Sequence, residues 1–395
     1  MAREARLAPY HRQTVISAGL CIQIKQIKQR SKLTMRRFSS LGHRLRGAAL
    51  LRRETFDEAV GNTPLIKLQG PSAATGCDIY GKCEFMNPAG SVKDRAALNI
   101  FREAEAAGKL QRGGVIVEGT AGNTGIGLAA VAATRGVKCV VVIPETQTEE
   151  KKDCLRQLGA RVVEVPAAPY KSPNNYQKVS KRLAEALGGV WANQFDNTAN
   201  RDAHVRTTGP EIWRQTEGRV DAFSCAVGTG GTLAGTAQFL REASGGRVRI
   251  GLTDPPGAAL FRYYRDGELA SEGDSITEGV GQGRITANLE GFTPDVQYEI
   301  EDRFSLEVAF ALLREEGLAL GLSSGLNVAG AMRVAKDLGP GHTVVTILCD
   351  GAARYASKMF NVEFLKERGL PHPPWLVDGE DDVDAAARSV MVEED

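Results

Sequence analysis

The chain has 395 residues, of which 42% are hydrophobic and 25% charged, and its formal net charge is +1. This composition is ordinary for a globular protein and excludes a disordered chain, a collagen-like fibre and a disulfide-rich miniprotein. The net charge conceals unequal parts: residues 1–53 hold 13 basic and one acidic side chain, residues 376–395 hold one basic and eight acidic, and residues 54–375 hold 35 basic and 39 acidic. A mildly acidic body argues against nucleic acid as a partner.

The first 53 residues are rich in Arg, contain Ser and carry a single acidic residue. This composition predicts a mitochondrial transit peptide and therefore a location in the mitochondrial matrix. A disordered basic extension is one alternative, and a true start at Met35, which would leave the protein in the cytoplasm, is another. The apolar run 14–24 has 11 residues, fewer than the ~20 that cross a bilayer, so we expect no transmembrane span. Residues 376–395 are expected to form a solvated, disordered acidic tail.

From residue 78 onward, short β-branched runs alternate with helical patterns. The runs are continuously apolar, which is typical of parallel strands covered on both faces, so the pattern predicts an α/β fold with right-handed crossovers. The predicted strands are 78–85, 114–120, 138–144, 161–166, 188–194, 221–227, 248–254 and 342–350. The predicted helices are 93–108, 123–135, 148–158, 174–187, 202–217, 232–243, 305–316, 325–337 and 353–367. The turn-rich stretch 195–202 is the predicted boundary between an N-terminal domain, 54–196, and a C-terminal domain, 197–375.

The seven cysteines form no CxxC pair and no cluster with histidine. A zinc site and a disulfide framework are therefore not expected. Because free cysteine behaves as a small hydrophobic residue, we expect buried thiols in a reducing compartment and no bound metal.

Three glycine-rich turns lie next to predicted helix N-termini, at 118–125, 226–232 and 321–327. Backbone N–H groups at a helix N-terminus form an anion-binding site. The segment Gly228–Thr232 lacks the spacing of a dinucleotide fingerprint, and the chain has no P-loop motif, so one such turn alone indicates little. Three of them in one α/β protein favour a ligand that carries a phosphate group.

A fourth segment, NPAGSVKDR at residues 87–95, places Lys93 in the first turn of the predicted helix 93–108, with Ser91 as the predicted N-cap. The helix N-terminus disfavours a cation and so favours the neutral amine that Schiff-base chemistry needs. An exposed lysine paired with Glu103 is the alternative on local features alone.

Six segments of the chain, in this order, resemble the cysteine synthase (O-acetylserine sulfhydrylase) family, which belongs to the pyridoxal-phosphate enzymes of fold type II. They are GNTPLIKL (61–68), NPAGSVKDR (87–95), GTAGNTG (119–125), TTGPEIW (207–213), VGTGGTLAG (227–235) and GLSSG (321–325). The resemblance runs from about residue 57 to 375. It implies two three-layer α/β domains with mostly parallel sheets, as in the tryptophan synthase β subunit, with pyridoxal 5′-phosphate as cofactor and a homodimer as the assembly.

The resemblance also implies roles for individual residues. Lys93 would form the Schiff base with the cofactor and remove the substrate α-proton. The cofactor phosphate would bind Gly228, Thr229, Gly230, Gly231 and Thr232. Asn123 would meet the 3′-oxygen of the cofactor ring, and Ser323, in preference to Ser324, its nitrogen. The substrate carboxylate would bind Thr120, Ala121, Thr124 and Gln194, and Gly279 would lie near the substrate amino group.

The chain departs from the commonest family pattern at Ala121, where serine is usual, at Gln282 and Arg284 in EGVGQGR, and in the turn CDGAARY at 349–355. These features resemble a fungal, mitochondrial subgroup of cysteine-synthase-like proteins. The implied reaction is the conversion of O-acetyl-L-serine and sulfide to L-cysteine and acetate. Phosphoserine or serine as donor, a cystathionine β-synthase-like reaction, cysteine desulfhydrase activity and a catalytically quiet binding protein stay open as alternatives.

Overall fold

The computed structural model of the protein describes residues 52–377. The predicted transit peptide, 1–53, and the predicted acidic tail, 376–395, lie almost wholly outside these residues, so both stay predictions. Within the described range, no helix combines the length and apolar character needed to cross a bilayer.

The strands of the described chain form two sheets. The strands are β1 (Leu65–Lys67), β2 (Asp78–Cys83), β3 (Val115–Gly119), β4 (Lys138–Pro144), β5 (Arg161–Val165), β6 (Val190–Trp191), β7 (Ala222–Ala226), β8 (Arg249–Asp254), β9 (Val296–Glu299) and β10 (Thr343–Leu348). The larger sheet has the order β1-β2-β10-β7-β8-β9 and the smaller one β5-β4-β3-β6. β1 pairs with β2 in antiparallel orientation, and the other ladders are parallel. The predicted α/β fold with mostly parallel sheets is confirmed.

Helices connect most of these strands and cover the sheets. They are α1 (Phe56–Ala59), α2 (Gln69–Thr75), α3 (Lys93–Ala106), α4 (Asn123–Arg135), α5 (Glu149–Gln157), α6 (Tyr176–Ala186), α7 (Ala199–Ala203), α8 (Gly209–Gln215), α9 (Gly231–Ser244), α10 (Leu260–Asp266), α11 (Asp302–Glu316), α12 (Leu322–Leu338), α13 (Ala356–Met359) and α14 (Val362–Glu367). The predicted helix 202–217 is interrupted by a π-helical turn, His204–Thr208, and the predicted helix 353–367 starts as a 3₁₀ turn, Ala352–Tyr355.

All eight predicted strands are present, but the sequence patterns missed β1 and β9. β1 has three residues and β9 four, and both are only partly buried edge strands, so neither produces an apolar run. Ser91 is not the N-cap of α3, because the helix begins at Lys93 and Val92 precedes it. The Ser91 hydroxyl nevertheless accepts a hydrogen bond from the Lys93 amide, at 3.2 Å.

The strands of the two sheets are not separated by a single boundary at residue 196. β1 and β2 precede that boundary, yet both belong to the six-stranded sheet, where β2 pairs with β10. The domain ranges 54–196 and 197–375 stay a prediction, whereas the sheet membership of these strands is observed. The consequence for function is that the loop following β2, which leads to Lys93, starts from the larger sheet.

Apolar burial explains why the central strands form. Six of the seven residues of β4 are buried, and the side chains of β7 and β8 are almost entirely buried. Helices cover both faces of such strands, so the uninterrupted apolar runs read from the sequence are accounted for. The described cysteines are free, and most are buried in these cores, as expected for small hydrophobic side chains.

A buried cluster of charged side chains joins β2 to α3 and α8. The Arg95 guanidinium donates two hydrogen bonds to Glu84, both at 2.7 Å, and two to Glu211, both at 2.8 Å. Lys82 Nζ lies 2.6 Å from Glu211 Oε2, and all four side chains are at most 6% exposed. Two cations and two carboxylates balance in charge, which makes this burial tolerable, but removing one partner leaves an uncompensated buried charge.

We expect Arg95→Met to lower the free energy of unfolding by about 3–5 kcal/mol, because two buried carboxylates lose their shared partner. Urea denaturation at neutral pH measures this change. Arg219→Met is the matched control, since Arg219 pairs with Glu217 at the surface with both side chains more than three-quarters exposed. The control should change stability by less than about 0.5 kcal/mol, and equal effects of the two substitutions would contradict the prediction.

The same cluster predicts a pH dependence. Burial alone would raise the pKa of Glu211, but hydrogen bonds from Arg95 and the charges of Arg95 and Lys82 outweigh it and lower the pKa to about 2. The stabilisation is therefore complete above the ordinary glutamate pKa of 4.5 and is lost as the pH falls toward about 2. Denaturation midpoints of the wild type should fall between pH 4.5 and 2 more steeply than those of Glu211→Gln, which has no carboxyl group to titrate there.

Candidate active site

A cavity of about 160 Å³ opens where β3, β6 and β7 end. The carboxyl ends of parallel strands are the usual place for ligands in such folds. Nine of the residues that the sequence assigned to a site line this cavity, and they come from five separate segments. They are Lys93, Thr120, Ala121, Asn123, Thr124, Gln194, Gly228, Thr229 and Gly279.

A smaller cavity, of about 20 Å³, shares Lys93, Gly228 and Thr229 with the first one. Gly230 and Thr232 line it, so eleven of the thirteen proposed residues border the two spaces. Gly231 and Ser323 border neither and are buried at the first turns of α9 and α12.

The glycine-rich turn before α9 forms a tight backbone concavity. A Cβ on Gly228 would collide with the Gly279 carbonyl oxygen, and Gly230 has φ +91°, in the region that favours glycine. No side chain caps the N-terminus of α9, so its first N–H groups are left for another partner. This arrangement suits an anionic group with several acceptor oxygens.

Three residues that sequence reasoning did not select hold this turn in place. Asn200 donates from Nδ2 to the Thr229 hydroxyl at 2.7 Å and to the Gln194 carbonyl at 2.9 Å. The Thr286 hydroxyl donates to the Thr229 carbonyl at 2.8 Å. His204, to which the sequence gave no role, is fully buried with its Nε2 3.2 Å from the Thr232 hydroxyl. Asn200 and His204 lie in a stretch whose composition indicates only a turn and a helix, so no sequence signal marked them.

The opposite wall of the cavity is made by the turn after β3 and by Gln194. The Thr124 hydroxyl donates to Gln194 Oε1 at 2.5 Å, and Gln194 Nε2 donates to the Gly119 carbonyl at 3.2 Å. The Gly122 amide donates to the Thr120 hydroxyl, at 3.1 Å. These bonds fix polar groups near the uncapped N-terminus of α4, a second place that favours an anion.

The two serines of GLSSG have different environments. The Ser324 hydroxyl accepts a hydrogen bond from the Cys349 amide at 2.8 Å and is completely buried. Ser323 lies close to the Cys349 thiol, whose pKa burial raises to about 11 although Lys93 and the Ser323 hydroxyl act in the opposite direction. Ser324 is thus committed to the backbone, whereas Ser323 contacts the Cys349 thiol.

A buried lysine is part of the cavity wall and was not foreseen from the sequence. Lys151 is 1% exposed, pairs with Glu278 and lies 4.2 Å above the ring of Tyr355. Burial lowers the pKa of Lys151, and the charge of Glu278 opposes that shift. Glu278 also pairs with Lys358, at 2.5 Å, so this carboxylate lies between two lysine side chains.

The two unusual residues of the loop 279–284 have structural partners. Gln282 lines the cavity and donates from Nε2 to the Gly228 carbonyl at 2.8 Å. Arg284 makes a two-pronged ion pair with Asp196, at 2.9 and 2.8 Å, and its guanidinium stacks 4.6 Å from the ring of Tyr170. Gln282 therefore supports the glycine turn, while Arg284 ties the loop to the segment that follows β6.

Comparison with known proteins shows which family this chain resembles. The family model described as pyridoxal-phosphate dependent enzyme matches residues 56–350. Cysteine synthase 1 of Neurospora crassa is 56% identical over 317 residues, which cover 79% of this chain and 84% of the relative. A cysteine synthase of Saccharomyces cerevisiae whose name assigns it to mitochondria is 39% identical, covering 78% of this chain and 84% of the relative.

Among solved structures, the O-acetylserine-dependent cystathionine β-synthase of Helicobacter pylori has a TM-score of 0.72 and 34% identity, covering 78% of this chain and 98% of that one. The chain therefore belongs to the pyridoxal-phosphate dependent enzymes, with the fold type II architecture that the sequence implied. Within that family it is an enzyme of the cysteine synthase group, and pyridoxal phosphate is its cofactor.

The residues on the cavity walls fit this cofactor. The turn before α9 offers backbone N–H groups, and a Cβ on Gly228 or Gly231 would collide with the Gly279 carbonyl or the Asn200 side chain, so this close-packed glycine backbone suits a phosphate. The Lys93 side chain borders the same space and can supply an amine to an aldehyde. Within the described chain, the residues that line the two cavities include no carboxylate that would repel the phosphate, and no group of three or more His, Cys, Asp or Glu could hold a metal.

Gly228→Ala should weaken cofactor binding roughly tenfold to hundredfold, because the added methyl group must displace the Gly279 carbonyl at a cost of about 1–3 kcal/mol. Titration of the cofactor-free protein with pyridoxal phosphate, followed by fluorescence, measures the dissociation constant. Gly283→Ala is the control, since a Cβ there meets nothing within 4 Å. Unchanged affinity in Gly228→Ala would contradict the prediction.

Proposed function

We propose that the protein catalyses a β-replacement in which O-acetyl-L-serine and sulfide give L-cysteine and acetate. The observation that carries the proposal is the convergence on one cavity of Lys93, the glycine turn at Gly228 and the polar wall at Thr120 and Gln194. The cysteine synthase relatives support the substrate assignment, because the most similar of those described above shares 56% of its residues with this chain.

The Lys93 amine would serve as the base at the substrate α-carbon. Lys93 begins α3, and its side chain borders both cavities. When bound, pyridoxal phosphate supplies an electron sink for the carbon that loses this proton. The turn Gly228–Thr232 would bind the cofactor phosphate. Asn123 would meet the 3′-oxygen of the ring and Ser323 its nitrogen, as the family resemblance implies.

The substrate carboxylate would bind at the N-terminus of α4, between Thr120, Ala121, Thr124 and Gln194. The hydrogen bond between Thr124 and Gln194 holds both side chains at the wall, and the uncapped helix terminus adds its N–H groups. Gly279, across the cavity, would lie near the substrate amino group. Ala121 contributes no hydroxyl, so the backbone carries more of the binding than in relatives with serine there.

We further propose that the enzyme acts in the mitochondrial matrix as a homodimer. The Arg-rich composition of residues 1–53 and the mitochondrial assignment in the name of the Saccharomyces cerevisiae relative support the location. The family resemblance supports the dimer.

Turnover with a panel of substrates tests the reaction. O-acetyl-L-serine with sulfide should be used fastest, ahead of O-phospho-L-serine and L-serine as donors and of homocysteine as acceptor. Lys93→Ala should reduce cysteine formation by about 10²–10⁴-fold, and Lys93→Arg, which keeps the charge but not the basic amine, should be equally impaired. Faster use of homocysteine, release of sulfide from cysteine as the main reaction, or no turnover with any donor would favour the alternatives named from the sequence.

Ala121→Ser tests the carboxylate site. The new hydroxyl can donate to the substrate carboxylate, so we expect the KM for O-acetyl-L-serine to fall about tenfold while kcat changes little. Ala121→Cys is the control, because a thiol has similar size but donates a much weaker hydrogen bond. A KM that falls equally in both variants would indicate packing, and an unchanged KM would place the carboxylate elsewhere.

A further inference from the structure

The turn that joins β10 to α13, residues 349–355, lies directly behind Asn123. This β10–α13 turn is one of the places where the chain departs from the commonest family pattern, and it reads CDGAARY. Its side chains Asp350 and Arg354 contact Asn123 from two directions. Neither was given a role by the sequence.

Asp350 accepts two short hydrogen bonds on the same oxygen. Asn123 donates from Nδ2 to Asp350 Oδ2 at 2.6 Å, and the Tyr355 hydroxyl donates to that oxygen at 2.5 Å. Asp350 and Tyr355 are buried, with exposures of 0% and 4%. Hydrogen bonds that a buried carboxylate accepts are stronger than those between neutral groups, so the Asn123 N–H is held firmly.

Arg354 holds the other end of the same amide. Its Nη1 donates to Asn123 Oδ1 at 2.6 Å, while Nη2 donates to the carbonyl of Ala89. Ala89 belongs to the loop that leads from β2 to Lys93. The guanidinium therefore connects the Lys93 loop with the first residue of α4.

These contacts allow only one orientation of the Asn123 side chain. An asparagine amide has one acceptor oxygen and two N–H donors. The oxygen faces a cation and one N–H faces a carboxylate, so a flipped amide would place donor against donor and acceptor against acceptor. The second N–H is left for a ligand, and Asn123 lines the cavity.

We propose that Asp350 and Arg354 are positioning residues that orient the Asn123 amide toward the oxygen on the cofactor ring. The proposal rests on the proposed role of Asn123 in the active site. The turn also aligns the Lys93 loop, because the Val92 amide donates to the Cys349 carbonyl at 2.9 Å and Ser91 pairs with Asp350 in a β-bridge. The two loops that meet the cofactor ring thus share one support.

The test uses Asp350→Ala, Arg354→Met and Asn123→Ala, with the double variant Asn123→Ala/Asp350→Ala. Each protein is stripped of cofactor and titrated with pyridoxal phosphate, and the visible absorbance spectrum of the reloaded protein is recorded. We expect Asp350→Ala and Arg354→Met to weaken binding about tenfold and to shift the visible bands in the direction seen in Asn123→Ala. Asp350→Ala should add nothing in the Asn123→Ala background, because its effect passes through that amide.

Tyr355→Phe is the matched control. It removes a hydrogen bond to the same Asp350 oxygen but leaves the bond to Asn123, so affinity and spectrum should stay within about twofold of the wild type. Asp350→Asn, which retains an acceptor oxygen, gives a milder variant if Asp350→Ala does not fold, and it should fall between the wild type and Asn123→Ala.

Three outcomes would overturn the proposal. The first is wild-type affinity and spectrum in Asp350→Ala or, if that variant does not fold, in Asp350→Asn. The second is that Asp350→Ala keeps its full effect in the Asn123→Ala background, and the third is that Tyr355→Phe has an effect equal to that of Asp350→Ala. None of these readouts requires turnover. A wild-type protein that binds no pyridoxal phosphate would instead contradict the proposed function itself.

Discussion

The active site depends on the buried ion pairs that the Arg95 guanidinium makes. This guanidinium binds one carboxylate just after β2 and another on α8, with almost no exposure to water. Lys93, the proposed catalytic residue, stands two residues earlier on the same helix, so a buried, directional ion pair and not apolar packing alone holds the start of that helix. Such a cluster contributes little net stability when intact. It strongly disfavours alternative arrangements of these segments, because each would leave a buried charge without a partner.

The rest of the site is formed by turns that lie far apart in the sequence. The glycine turn at Gly228 is supported by Asn200 and Thr286, and Asn123 by the β10–α13 turn. Binding of an anionic cofactor by a chain whose body is mildly acidic is explained by local features. Two uncapped helix N-termini border the cavities and Lys151 lies in the cavity wall, so local groups favour an anion whatever the net charge of the chain.

Much of the site could be read from the sequence because its backbone requirements leave residue signatures. A turn that must bring backbone N–H groups to a phosphate needs glycine, so the segment from Gly228 was visible, as was the lysine at the start of α3. Asn200, His204 and Lys151 could not be found this way. Each acts through a contact with a residue distant in the chain, and asparagine, histidine or lysine in a turn or helix indicates no particular partner.

The sequence by itself determined the α/β class and the turns suited to a phosphate, because apolar periodicity and glycine placement are local properties, and its resemblance to the cysteine synthase family implied the cofactor. The tertiary structure alone decided that β1 and β2 join the six-stranded sheet, that Ser324 is committed to the backbone while Ser323 contacts the Cys349 thiol, and that Asp350 and Arg354 hold Asn123. These features depend on residues more than ten positions apart reaching hydrogen-bond distance, and no local pattern encodes that approach.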